Sequence, residues 1–518
     1  MSVSRRRFLA TTLGGSAALS LGLSWSSRAQ AWGELTDPVA AGPLGTSAHP
    51  AGGYKVLEIF MYGGVSPWET FYVRGGIADP FFGMDAATAD LDWSGACTGI
   101  PSPSTQTQAF ANDSLGAVRW GPSTAPLWRS DIFNRTRMVV QFHNLEPHEA
   151  AIPLNLTGHV LGRPNFSGLG AAISHRHASA AHPLPLSYVF MPDGGASVND
   201  NFQGMTATGT HGGEHKPLLL MMGTSISSIS TQLGRAGMTA QSDSLLRFYN
   251  AQYADKLRWT TGDLVRSKGY SAYNTSLANL LSAPQLSTLL AGAPLTPSNV
   301  AACASLLPQA PSTQLDRTTA SIRAGAYLLS QTPAAGGARY VGVIDGGILQ
   351  SGGAGYDTHS NPVLVQFANV FNVAKALADV IDPAATPAPG KISLSDTLVI
   401  LRTEFGRTPD PKGGTGRDHW PQGYVNTLIG GPVGSRAIAG SIGFTNGSDR
   451  GQAIPNSGVP TDPKRRFTPT EFHAAVQMAA GIFPFESENF GIGDMSDSTR
   501  DASEELTAAN IRTRVLGV

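Results

Sequence analysis

An α/β fold, with a mostly parallel sheet covered by helices, is what the chain predicts, and three observations carry that expectation. Residues 339–344 (RYVGVI) and 397–401 (TLVIL) are short apolar runs rich in β-branched side chains, the composition of buried strands. Between them, Val363, Phe367, Val370, Phe371, Ala374, Leu377, Ala378 and Ile381 recur at helical spacing. Strand, long helix, strand is a crossover unit, the connection that parallel neighbours require.

The first strand is expected over 55–61 (KVLEIFM), ending at Gly63-Gly64, which permit a tight turn. Further strands are expected over 137–142, with His143 at its exit, and over 186–191 and 218–222. Residues 242–263 and 275–307 read as helices with no strand between them, so a helical insertion is expected over 242–330. Asn361 is placed to cap the helix that follows, and Pro362 suits its first turn. Beyond the main domain at 53–483, residues 484–518 read as an irregular tail with one short helix near 504–514.

The amino-terminal end carries an address. Residues 4–9 (SRRRFL) form a twin-arginine export pattern, followed by a Gly- and Ala-rich apolar run and a small-x-small cleavage site at 29–31 (AQA). Residues 1–31 therefore read as a twin-arginine signal peptide, and 32–52 as a linker rich in Pro, Gly and Ala. This predicts a bacterial protein that the twin-arginine translocase carries, already folded, to the periplasm or outside the cell. No run reaches the length of a membrane span. Loss of Arg5, Arg6, Arg7 and Arg28 on cleavage moves the formal charge from −1 to −5, and no basic run remains to hold nucleic acid. Only 14% of residues are charged, while Gly (60) and Pro (35) abound, which points to a rigid, loop-rich protein rather than a disordered one. The two cysteines, Cys97 and Cys303, match no metal or redox spacing and are either buried thiols or one disulfide.

Chemistry concentrates after the last predicted strand. Residues 402–409 (RTEFGRTP) leave it, and Asp418-His419 follow; Asp357-Thr358-His359 lie beyond the strand at 339–344. Strands joined by a right-handed crossover bring their exit loops to one edge of the sheet, where ligands bind in such folds. Carboxylate oxygen and imidazole nitrogen together suit divalent cations. Asp357, His359, Glu404, Asp418 and His419 are thus candidates for a metal-dependent site. The structural alternative is that Asp357 and His359 shape a turn while Asp418 pairs with Arg407 or Arg417. Another group, His143, Glu146, His148 and Glu149, leaves the strand at 137–142. His148-Glu149 opens like a zincin motif, but Ile152 stands where the second His belongs. A strand-exit His there is either a ligand or general acid, or a structural cap. Gly64-Val-Ser66-Pro-Trp68 lacks the second Gly of a nucleophile elbow, and nucleotide-binding fingerprints are absent.

The blocks Gly63-Gly-Val-Ser66-Pro-Trp-Glu-Thr70, Thr157-Gly-His-Val-Leu-Gly-Arg-Pro164, Asp357-Thr-His359, Glu404-Phe-Gly-Arg407, Gly416-Arg-Asp-His419 and Glu471-Phe-His473 occur in an order that resembles the domain-of-unknown-function 1501 family of exported bacterial proteins. That family is similar to the alkaline phosphatase and sulfatase group. The resemblance implies an alkaline-phosphatase-like three-layer sandwich with zinc, calcium or magnesium at strand ends. It also implies Asp357, His359, Asp418, His419 and His473 as metal ligands and Ser66 or Thr70 as a nucleophile. The larger group carries a metal-binding Asp at the end of its first strand; here Glu58 is the acid on that strand, and its alternation with Val56 and Phe60 equally suits a buried, paired carboxylate. The expected activity is metal-dependent hydrolysis of a small phosphate or sulfate ester, with Arg407 neutralising its oxygens and Glu404 in the catalytic set. The alternatives are a non-catalytic exported binding or assembly module on the same fold, and a serine hydrolase using Ser66.

Overall fold

The computed structural model describes residues 53–74, 107–160, 168–178, 188–192, 217–220, scattered positions in 241–252, and 317–332, 337–348, 355–360, 362–384, 386–410, 416–444, 450–454, 466–485 and 490–518. The residues expected to form an export segment and linker, both cysteines, Asn361 and most of the expected insertion lie outside the described residues.

Twelve strands frame the site: β1 (Lys55–Met61), β2 (Gln108–Asp113), β3 (Gly116–Trp120), β4 (Thr136–Gln141), β5 (Tyr188–Met191), β6 (Leu218–Leu219), β7 (Tyr340–Asp345), β8 (Thr397–Arg402), β9 (Gly406–Arg407), β10 (His419–Trp420), β11 (Tyr424–Gly430) and β12 (Ala437–Ala439). The helices that matter are α1 (His148–Thr157), α2 (Leu169–Ala178), α3 (Arg317–Ser330), α4 (Pro362–Val380), α5 (Pro469–Ala479) and α6 (Glu504–Ile511). Eight strands form one sheet in the order β12-β4-β11-β8-β1-β7-β5-β6. From β8 to β6 every pairing is parallel, with β1 central between β7 and β8. The α4 crossover therefore steps over β1, as strand-helix-strand patterning predicts.

Side-chain alternation divides β1 between two cores. Leu57, Ile59 and Met61 pack with Ile322 and Leu328 of α3 and Val370 and Leu377 of α4. Val56 and Phe60 pack on the opposite face with Ile152 of α1, Ile173 of α2, Phe472 of α5 and Ile511 of α6. Helices thus cover both faces of a mostly parallel sheet, three layers in all. Strands buried on both faces need apolar residues at every position, which explains runs without polar alternation. The end of the predicted insertion, α3, packs on β7 and β1. Among the described residues no helix is long and apolar enough to cross a membrane.

Two elements differ from expectation. β11 lies antiparallel between β8 and β4. Its reversal turns β4 the same way as β8, so the carboxyl ends of β4, β8, β1 and β7 share one edge. The tail, expected to be irregular, is integrated: Ala508, Ile511, Val515 and Leu516 are buried in the second core. Glu471 of α5 ties it down. Its buried carboxylate accepts from the Thr468 amide (2.8 Å), the Ser496 amide and hydroxyl (2.9 Å each) and the Thr499 hydroxyl (2.6 Å). Glu471→Ala should cost about 3 kcal/mol, because several buried donors lose a charged acceptor at once. Denaturant unfolding would measure the loss, and limited proteolysis should then cut the chain after α5.

Candidate metal centre

Four exit loops meet at the carboxyl edge of the sheet. Gly63, at φ 119°, leaves β1 in a conformation that glycine favours, and a Cβ there would fall on the backbone nitrogen of Asp357. This close approach brings the β7 loop over the end of β1. The two-stranded β9–β10 ladder sets His419 opposite Arg407. Phe405, fully buried between these elements, stacks on the His419 ring at 4.4 Å and meets the His148 ring at 5.0 Å. One aromatic side chain thus orients imidazoles from two different loops.

His148, Asp357 and His419 each offer a ligand atom, and these atoms lie within 4.8 Å of one another. The Asp357 carboxylate is 3.7 Å from His148 Nε2 and 3.2 Å from His419 Nε2. Ligands bound tetrahedrally to zinc at about 2.1 Å stand roughly 3.4 Å apart, so these separations straddle the required value. His359 Nε2 approaches Asp357 at 3.0 Å from the solvent side, and its Nδ1 pairs with Asp418 at 3.2 Å. Exposure rises outward from 15% at the His148 side chain to 48% at His359, so the group opens to solvent through His359 and Asp418. Asp357, Glu404 and Asp418 all lie near the Arg407 guanidinium, and donor type and spacing fit a divalent cation.

Burial works against ionisation of Asp357, yet hydrogen bonds from His148 and His419 and the Arg407 guanidinium outweigh it and hold the carboxyl well below the usual range. Burial likewise opposes charge on His148, but hydrogen bonds to Asp357 and Glu404 prevail and push its pKa up to about 9. Because this value exceeds the ordinary 6.5, charged His148 stabilises the metal-free protein fully below pH 6.5, and the contribution is lost as pH rises through 9. The loss should amount to about 3 kcal/mol. Melting temperatures in chelator between pH 6 and 10 would register it, and a bound cation, by displacing that proton, should flatten or reverse the slope.

Other sequence-predicted residues have different places. Ser66 and Thr70 are fully buried; Ser66 Oγ donates to Glu69 and Thr70 Oγ1 to the Ser66 carbonyl (2.5 Å). Neither hydroxyl touches the cluster, and Ser66 has a carboxylate rather than an imidazole beside it, which removes the basis for a serine triad. Arg407, expected to face an ester, is fully buried. Its guanidinium donates to the Gly63, Gly64 (3.2 Å) and Arg417 (3.1 Å) carbonyls and to Asp357 (2.5 Å), so it anchors Asp357. Arg417 pairs with Glu69 at 2.7 Å rather than with Asp418. Glu404 is fully buried behind His148, whose Nδ1 lies 2.8 Å from its carboxylate. Glu58 sits mid-strand in an ion pair with Arg402 (2.8 Å) and accepts from Tyr340 (2.8 Å), as a buried, paired carboxylate.

His473 is not brought to the group. Its ring is wholly buried in α5 against Phe490, and burial, reinforced by Arg402 and His159, pushes its pKa well below the ordinary value. The resemblance placed it by motif order alone; the face of α5 on which it lies is decided by packing. His143 is also structural: its Nδ1 accepts from the Leu145 amide, its Nε2 meets the Glu404 carbonyl at 2.7 Å, and burial lowers its pKa to about 4. His148 is the addition. Sequence left it open between ligand and cap, and its signal is its position at the start of a helix following a strand exit, rather than the failed zincin spacing.

No curated protein and no solved structure matches the chain. Residues 54–450 match the family described as protein of unknown function, DUF1501, a span that includes β1, both faces' central strands and every residue of the His–Asp group. The chain is a member of the DUF1501 family.

Proposed function

We propose that this chain is an exported metal-dependent hydrolase of phosphate or sulfate esters on an alkaline-phosphatase-like sandwich. The observation that carries the reading is the convergence of His148, Asp357 and His419, three protein donors, at the carboxyl edge of the sheet. A divalent cation bound there supplies Lewis-acid polarisation of an ester oxygen and acidifies water. The protein's own residues do the rest. Arg407 holds Asp357 ionised, Phe405 sets both imidazole planes, and His359, half exposed and held by Asp418, is placed to give a proton to the departing oxygen. Since Ser66 and Thr70 donate to internal acceptors, water is the nucleophile in this scheme. The export reading rests on residues 4–31.

A second reading, a non-catalytic binding or assembly module, is favoured by one observation: both the candidate hydroxyls and Arg407 are committed to internal bonds. Elemental analysis of protein purified without chelator separates the two. About one equivalent of metal that is lost in His419→Ala but kept in Asp418→Ala, together with turnover of an aryl phosphate or sulfate, is the expected result. Metal-free wild-type protein with no turnover would shift the assignment to the binding module.

A further inference from the structure

Glu404 looks at first like a fourth ligand or a general base, since it belongs to the same loop as Arg407 and lies beside His148. Its surroundings exclude both roles. The carboxylate is fully buried: Oε1 accepts from the Gly63 amide at 2.7 Å and lies 2.8 Å from His148 Nδ1, while Oε2 lies 3.2 Å from Thr403 Oγ1. The main chain is held as firmly, because the Glu404 carbonyl meets His143 Nε2 and Asn155 Nδ2, each at 2.7 Å. With side chain and backbone clamped at both ends, the residue cannot swing toward solvent or substrate.

The contact to His148 is on the far side of the ring from Asp357. A carboxylate accepts and does not donate, so it selects the tautomer with hydrogen on Nδ1. Once the second proton has left, as cation binding requires, Nε2 faces Asp357 and His419 with its lone pair. The other two imidazoles of the group repeat the pattern with weaker partners. His419 Nδ1 meets the Glu146 carbonyl at 3.0 Å, and His359 Nδ1 meets Asp418, a partly exposed carboxylate, at 3.2 Å. Glu404 differs in being buried, charged and bonded at the same oxygen to the β1 exit loop. One atom therefore couples the position of the β1 turn to the orientation of a ring from the β4 exit.

We infer that Glu404 is a positioning residue for the metal centre: it holds His148 in the Nδ1–H tautomer, aims Nε2 at the cation and strengthens that nitrogen as a donor. The inference rests on the metal reading given above. Outer carboxylates of this kind are worth about 10–100-fold in metal affinity.

The test uses Co²⁺ as the probe on the full chain, in wild type, Glu404→Gln and Glu404→Ala, with melting temperatures taken in chelator. Glu404→Gln keeps the shape and one acceptor oxygen but removes the charge. It should bind Co²⁺ about tenfold more weakly, with shifted visible d–d bands, and Glu404→Ala about a hundredfold more weakly. A carboxylate that only supported the fold would lower the melting temperature and leave the Co²⁺ spectrum of the folded fraction unchanged, which would overturn the proposal. Equal Co²⁺ affinity and identical bands in wild type and Glu404→Gln would overturn it too, while leaving the metal centre in place. Failure of wild-type protein to bind Co²⁺ would overturn both.

Discussion

Asp357→Asn is expected to abolish cation binding while leaving the protein folded. Among the described residues Asp357 is the one acid approached by three imidazole Nε2 atoms, from His148, His359 and His419. The amide keeps the size of the carboxylate and can still accept from Arg407 through its oxygen, so the buried guanidinium retains a partner. What disappears is the negative charge that a divalent ion needs at this point. Asp357→Ala is the harsher companion. It should lose the cation and also destabilise the chain by about 2–3 kcal/mol, because Arg407 is then buried with carbonyl partners alone. Elemental analysis and thermal unfolding of both variants would check the pair. Retention of metal by Asp357→Asn at wild-type stoichiometry would remove Asp357 from the ligand set.

Glu58→Ala should be the most damaging single change away from the site, at about 3–5 kcal/mol. It strands Arg402, a guanidinium with no exposed surface, at the carboxyl end of β8. Arg402 would keep the Asn155 carbonyl at 2.7 Å and the face of Phe472, but no counter-charge. The converse follows from the same desolvation argument. Replacing both partners, as in Glu58→Met with Arg402→Met, should recover most of the loss, since paired burial of charge yields little net stability over apolar packing. Guanidinium unfolding of the two singles and the double would give the coupling energy directly.

Much of the frame was legible because it depends on local patterns. β1, β7, α4 and β8 are apolar runs of clear period, and the crossover rule then places the loops after β7 and β8 together. This is why Asp357, His359, Asp418 and His419 group together on the sequence alone. β11 escaped because YVNTLIG mixes Asn and Thr into a strand that is nonetheless buried throughout, with Asn426 accepting from the Thr403 amide. α1 escaped because Pro153 lies within it and Pro147 just before it. Without β11, nothing turns β4 toward the site edge, and His148 has no reason to join the group. Burial was the other hidden quantity. Ser66, Thr70, Arg407 and Glu404 have reactive chemistry in sequence, and only packing reveals that each is spent on an internal partner. Glu58 was ambiguous for the opposite reason: alternation allowed a paired acid but could not name Arg402 as the pair.

The central place of β1 has a consequence for how the chain is made. β1, the first strand among the described residues, is hydrogen-bonded on both sides to strands that emerge from the ribosome much later: Glu58 meets Tyr340 across 282 residues, and Lys55 meets Asp396 across 341. At about 5–20 residues per second, β1 waits roughly 20–70 s for its second neighbour. During that interval an apolar strand with two unpaired edges is exposed, a hazard for association with other chains. Folding must therefore follow synthesis rather than accompany it, with high contact order and a slow rate. A nascent chain arrested before β8 should be protease-sensitive throughout and should depend on a holding chaperone to stay dispersed.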